Sequence, residues 1–570
     1  MNSKRQNTNR SDKWLNTPEL YSWLRKAAFN SQGFNPKSYE NKPIIGICNS
    51  WSELTHCNQN LKQLAEAVKR GIWQAGGFPL EFPVISLGEY HMKPTSMLYR
   101  NLMSIDVEES IRANPIDGVV LLSGCDKTTP AMLMGAASAN IPSILVTSGP
   151  QLNGRWKTEP LGACTDCRRY EAEFKAGTIT QEDWKEIQNS ILRSPGHCMV
   201  MGTASTMACI SEILGMSLPG NGTIPAVDSR RHQIAEQSGF QIVKLVSENI
   251  TPSKIMTDKA FENSIIGLHA LGGSTNAIIH LTAIAGRLSI NLPLDLFDHF
   301  SKTTPVITNL KPSGQFLMED FHYAGGMQAV IKEVTHLLNP EETGVSGLKI
   351  STLASLARND DANVIKSVDN PVYPEGGLAV LKGSLAPEGA VIKHSAASSH
   401  LLNHTGRAIV FNDYDNLTNE INSDNLNIKP EDILILKNSG PKGAPGMPEW
   451  GFLPIPNKLL KKGTRDMVRI SDARMSGTAF GTVVVHTSPE SALKNSPMSV
   501  VKTGDIIKLD VHNRNLELLV EPSEIRKRLK SHTTKKTIHE SGYTQLYKKH
   551  VLQAPQGCDF DFLRPSINDV

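Results

Sequence analysis

Along the first 150 residues, short unbroken apolar runs alternate with stretches in which apolar residues recur every three or four positions. Lys42 to Ser50 (KPIIGICNS) reads as a strand buried on both faces. Leu61, Leu64, Ala65, Val68 and Ile72 mark one face of a helix over Asn60 to Ala75, which Gly76-Gly77 closes. The alternation continues through a strand at Leu80 to Leu87, taken to end at Glu89, and a helix near Ser96 to Ala113. A strand at Gly118 to Leu122, a helix near Pro130 to Asn140 and a strand at Ser143 to Thr147 follow. Strands separated by helices of this length predict βαβ units, hence a parallel sheet covered on both faces.

Tyr170 to Leu192 is more charged and helical in pattern, which predicts a surface excursion. Met199 to Leu214, rich in Gly, Ala, Ser and Met, predicts a closely packed interior helix. Beyond about residue 375 the pattern changes to short β-type runs set between Gly and Pro. These are Leu378 to Leu381, Ala390 to Lys393, Ala408 to Phe411, Ile433 to Leu436, Val483 to His486, Ile506 to Val511 and Leu516 to Val520. The predicted fold class is α/β, with an N-terminal parallel-sheet α/β/α domain (1–375) followed by a C-terminal β-barrel-like domain (376–570).

Composition narrows the partners. The 59 basic and 56 acidic residues leave a formal charge of only +3, too even a balance for a nucleic-acid partner and better suited to small molecules. No run approaches the roughly 18 to 20 apolar residues of a membrane helix, and the polar start MNSKRQNTNRSD has no apolar stretch behind it. A cytoplasmic protein with no membrane partner is expected. Eight cysteines in 570 residues are too sparse for a disulfide scaffold, so free thiol or metal ligand is their expected state.

Three of the eight stand out by place. Cys57 lies in the loop after the first strand, Cys125 follows the strand DGVVLLSG, and Cys198 sits in SPGHC ahead of the small-residue helix. In an open parallel sheet ligands gather beyond the carboxyl ends of strands, where two of these thiols fall. Glu89, Asp126 and Lys127 are close by in sequence, and hard carboxylates beside soft thiolates suit two kinds of metal centre in one pocket. A lone cysteine at a strand end is more often a small buried apolar residue, and Glu89 and Asp126 alone read as solvated charges. Cys48 reads as core, His56 as a loop residue or a partner to Cys57, and Cys164-Thr-Asp-Cys167 lacks the second pair that a zinc site needs. Spacing by itself leaves the function open.

The wording around these residues goes further. GGFPLEFPVISLGE, LLSGCDKTTPAMLMGAAS, LGGSTNAIIHL, PSGQFLMEDF, GGLAVLKGSLAPEGAVIK, GPKGAPGMPEW and SDARMSGTAFGTVVVHTSPE resemble, in order, the signature stretches of the dihydroxy-acid and sugar-acid dehydratase family, from about residue 40 to 525. The resemblance implies that Cys57, Cys125 and Cys198 hold an iron–sulfur cluster, [2Fe–2S] or [4Fe–4S], with one iron left open. It implies Mg²⁺ on Glu89, Asp126, Glu449 and a carbamylated Lys127, and Ser476 as the base. SLGE, TTPAMLM and SDARMSGTAFG are similar to the sugar-acid branch, which includes L-arabinonate and D-xylonate dehydratases. A pentonate or hexonate substrate and a homodimer or homotetramer are therefore expected. The rival readings are the branched-chain biosynthetic dihydroxy-acid dehydratase and a non-catalytic cluster protein.

Overall fold

A computed structural model of the chain describes residues 9–532 and 541–565. The apolar runs of the N-terminal part become β1 (Ile44–Asn49), β2 (Phe78–Pro83), β3 (Gly118–Ser123) and β4 (Ser143–Thr147). They form one sheet in the order β2-β1-β3-β4 with every pair parallel. Every residue of β1, β3 and β4 is buried, as expected of parallel strands with helices on both faces. The connecting helices are α1 (Leu61–Gln74), α2 (Arg100–Ala113) and α3 (Thr128–Ala139). The charged excursion folds as α4 (Thr165–Ala176) and α5 (Gln181–Ser190), and the small-residue stretch forms the wholly buried helix α6 (Thr203–Ile213). LGGSTNAIIHL places a break at 271–275 ahead of α7 (Asn276–Gly286), also buried throughout.

One expectation fails in detail. The second strand stops at Pro83 rather than reaching Glu89. Val84 N–H still donates to Asn49 O at 3.2 Å, but Ile85 N–H turns to the Asp106 carboxylate at 3.0 Å, which draws the chain off the sheet edge. Glu89 therefore lies in a loop, six residues past the strand.

The C-terminal β-type runs form a single eight-stranded mixed sheet. Its strands are β5 (Ala379–Leu381), β6 (Gly389–Ile392), β7 (Asn403–Phe411), β8 (Ile433–Leu436), β9 (Arg469–Ser471), β10 (Val483–Ser488), β11 (Ile506–Asp510) and β12 (Asn515–Leu518). The order is β12-β11-β7-β8-β9-β10-β6-β5, parallel from β7 to β10 and antiparallel elsewhere. Lys382 N–H donates to Arg514 O, and Leu516 N–H to Lys382 O, each at 3.0 Å, so the two edge strands meet and the barrel is nearly closed. Strand β9 has no apolar run to announce it, because its first residue is a buried arginine paired with Asp466 at 2.6 Å. Among the described residues no helix is long and apolar enough to cross a membrane.

Candidate active site

The loops at the carboxyl ends of β1 and β3 bring two thiols into contact. Cys57 sits on a single helical turn, His56–Asn58, and Cys125 on the tight link between β3 and α3. Asn58 ties them together: its Oδ1 accepts Cys125 N–H at 3.1 Å while its Nδ2 donates to Ser50 O at 3.0 Å and Ser86 Oγ at 2.8 Å. The approach requires Gly124, since a Cβ there would collide with the Cys57 carbonyl and lie 2.7 Å from Asn58 Oδ1. The Cys57 thiol is pushed well above its ordinary pKa, first by its hydrogen bond with Cys125, then by burial and by the nearby Cys198 and Asp126. Cys198 joins from the segment before α6, its carbonyl held by Ser205 Oγ at 2.8 Å.

A fourth thiol, set aside in the sequence because its CxxC pair has no second pair to accompany it, stands beside them. Cys164, preceding α4, hydrogen-bonds Cys198, and the Tyr90 hydroxyl lies 2.9 Å from Cys164 Sγ and 3.6 Å from Cys198 Sγ. That bond lowers the pKa of Cys164 and raises that of Cys198. Cys48 is buried core, as its position in a strand implies, and His56 Nε2 is 3.6 Å from Cys57 Sγ.

The acidic residues meet on one ammonium. Lys127 Nζ is fully buried and lies 2.6 Å from Asp126, 3.1 Å from Glu449 and 3.3 Å from Glu89. Burial and Arg474 oppose its charge, but the three carboxylates outweigh them and hold its pKa above the ordinary lysine value. Burial keeps the Asp126 pKa raised despite Lys127, whereas at Glu449 the cations Lys127 and Arg474 overcome burial and lower it to about 2. Glu89 is fixed by Thr95 Oγ1 at 2.8 Å, Ser96 N–H at 3.1 Å and the Ser96 hydroxyl.

Glu449 comes from the loop after β8, and Ser476 from the loop between β9 and β10, so the barrel supplies one wall of the site. Arg474, fully buried, is the brace that sequence reasoning missed. It donates to Met447 O at 2.8 Å, Glu449 Oε1 at 3.0 Å and Thr95 Oγ1 at 3.1 Å, joining the loops that carry Ser476, Glu449 and Glu89. Asn276, at the start of α7, adds bonds of 3.0 Å to Glu449 Oε1 and 3.2 Å to Met475 O, and its own Oδ1 is buried without a partner among the described residues. Ser476 Oγ is 2.8 Å from Thr478 Oγ1, and Thr478 O accepts from Thr165 Oγ1 at 2.8 Å. Nothing local in SDARMSG marks Arg474 as a brace, because its partner Thr95 lies 379 positions away in sequence.

Soft and hard donors thus adjoin, with Cys125 Sγ 3.4 Å from Asp126 Oδ1. Among the described residues no three His, Cys, Asp or Glu groups are drawn up as a ready ion cage; the Lys127 ammonium stands where the carboxylates converge. The donor set suits the groups that the resemblance implies: thiols in contact could hold a cluster, and three carboxylates and an orphaned amide oxygen could hold a hard divalent ion.

Comparison with known proteins identifies the family. Residues 42–353 match the family described as dihydroxy-acid/6-phosphogluconate dehydratase N-terminal, and residues 363–558 its C-terminal counterpart. An L-arabinonate dehydratase of Rhizobium leguminosarum is 49% identical over 97% of this chain and 96% of its own length. A 6-deoxy-6-sulfo-D-gluconate dehydratase of Pseudomonas putida is 45% identical with the same coverage, and a dihydroxy-acid dehydratase of Thermodesulfovibrio yellowstonii is 40% identical over 92% of this chain and 95% of its own. With both halves of the chain matched, this protein belongs to the dihydroxy-acid/6-phosphogluconate dehydratase family.

Proposed function

We propose that the protein removes water from a sugar acid, a pentonate or hexonate, to give a 2-keto-3-deoxy acid. The carrying observation is the meeting of the Cys57, Cys125 and Cys198 thiols with the carboxylates around Lys127, with Asn276 bridging Glu449 to the carbonyl of Met475, the residue before Ser476. Cys57, Cys125 and Cys198 would hold a [2Fe–2S] cluster, and Glu89, Asp126, Glu449 and a carbamylated Lys127 would hold Mg²⁺. The carbamate fits electrostatics, because it replaces a cation with an anion at the point where a metal ion must bind. When bound, these groups supply Lewis acidity toward a leaving hydroxyl and a carboxylate.

The chain's own part is to hold and deprotonate. Ser476 would take the proton from C2 of the substrate, with its Oγ steadied by Thr478 at 2.8 Å. A hydroxyl is a weak base on its own and needs charge and donors around it to stabilise the alkoxide. Loss of the C2 proton and the C3 hydroxyl leaves an enol, which tautomerises to the keto acid. Relatives named for sugar acids are 45 to 49% identical, against 40% for the biosynthetic enzyme, which supports the sugar-acid reading.

The test is anaerobic turnover of an aldonate panel beside 2,3-dihydroxy-3-methylbutanoate, following the 2-keto-3-deoxy product. Faster turnover of an aldonate is expected; preference for the branched dihydroxy acid, or reversible redox cycling with no lyase activity, would overturn the reading. The same reading divides the chain into domains at 1–375 and 376–570 and makes the protein a cytoplasmic homodimer or homotetramer. Leu20, Tyr21, Trp23 and Leu24 stand exposed on one N-terminal helix, the kind of apolar face that a second subunit covers.

A further inference from the structure

Lys393 follows β6 and is wholly buried, 1% exposed, although it takes no part in the carboxylate group around Lys127. Among the described residues it forms no ion pair. Its amine makes one hydrogen bond, 3.4 Å to the carbonyl oxygen of Gly477, the residue directly after Ser476. A buried amine without a counter-charge costs stability, and such groups persist where they serve a purpose. Burial alone pushes its pKa down to about 7, in keeping with a site that has no acidic neighbour among the described residues.

The turn that Lys393 touches is gripped from two sides. On one side, a Cβ at Gly477 would lie 2.5 Å from Ser274 Oγ and 2.9 Å from Thr203 N, so the break before α7 and the start of α6 press directly on the backbone. On the other, the segment Lys393 to Ala396 is fastened to the same loop twice: by Lys393 Nζ to Gly477 O, and by Gly481 N–H to Ala396 O at 2.7 Å. Thr478, whose hydroxyl oxygen lies 2.8 Å from that of Ser476, falls between those two attachments, and Ser476 directly precedes the first of them. The Gly477 carbonyl is the point at which the barrel can fix the angle of the serine.

We propose that Lys393 is a positioning residue for the dehydration: from behind the Ser476–Thr478 turn, its amine holds the Gly477 carbonyl and so orients the Ser476 hydroxyl. Both the neutral amine and the ammonium can donate to a carbonyl, so this role does not depend on charge. It rests on the assignment of Ser476 as base, and it goes beyond that assignment by naming what aims it.

The experiment uses the loaded, full-length enzyme with K393M, which keeps the length and removes the donor, and K393Q, which retains a shorter one. For K393M we expect kcat to fall about 10- to 100-fold, with KM within about twofold of the parent, as for an interaction that matters only in the transition state. Iron and Mg²⁺ contents should match the parent, and the Tm should be equal or higher, since an unpaired buried amine is gone. K393Q should lie between K393M and the parent. A kcat within threefold of the parent, or a loss that follows falling Tm or metal content, would overturn the proposal. Failure of the Ser476 assignment is read separately, from S476A.

Discussion

At the scale of single residues, charge compensation decides what the site can tolerate. Among the described residues, Lys127 is the only positive group that touches all three carboxylates, at 2.6, 3.1 and 3.3 Å, and all four side chains are largely buried. In metal-free protein, K127M should cost about 3–5 kcal/mol, as expected when one partner of a buried charge group is removed. Added Mg²⁺ should restore part of it by replacing the lost charge. Urea unfolding with and without the ion checks this, and an unchanged midpoint would mean that the carboxylates do not depend on Lys127. Ser476→Ala should lower kcat by about 10²- to 10⁴-fold while leaving the cluster spectrum intact; near-normal turnover would remove Ser476 as the base. The residues proposed for the chemistry stand out in the sequence because their flanking motifs are long. Those that brace them do not: Arg474 and Asn276 act through contacts with residues up to 379 positions away, as in the bond from Arg474 to Thr95, and no local pattern encodes such a partner.

At the scale of elements, the strands and helices followed from apolar periodicity, since β1, β3 and β4 are apolar runs buried on both faces. The places where the pattern misled are those where a polar group captured the backbone. Asp106 drew the chain off the sheet after Pro83, and the Asp466 pair hid β9. Glu490 is a third case of a buried carboxylate holding a loop. It accepts from the N–H groups of Lys442 and Gly443 and from Gln553, and so secures the loop that leads to Glu449. Burial, then the neighbouring Asp472, raises its pKa from 4.5 to about 7. A carboxyl whose folded pKa is raised contributes stability that is complete below its unfolded value and is lost as pH rises through the folded one. The stability of the parent relative to E490Q should therefore fall between about pH 4.5 and 7 and level off above that window. Thermal unfolding of both proteins across that range decides it, and a flat difference would contradict the assignment.

At the scale of the whole molecule, the candidate site forms where loops of two unlike sheets meet. The parallel sheet carries Cys57 and Cys125 at its carboxyl end, and the barrel reaches across with Glu449, Arg474 and Ser476. The change from helix-separated to turn-separated strands near residue 375 announced two architectures, but not which loops would meet. That meeting is set by side-chain bonds across the junction, above all Arg474 to Thr95 and Asn276 to Glu449. The measurement that bears most directly on the account is the iron and sulfide content, with the visible and electron paramagnetic resonance spectra, of anaerobically prepared parent protein and single Cys→Ser variants. The parent should carry one cluster, C57S, C125S and C198S should each lose it, and C48S, C209S and C558S should keep it. A parent that binds no iron under reconstitution, or a cluster that survives all three of the first substitutions, would contradict the account at its centre.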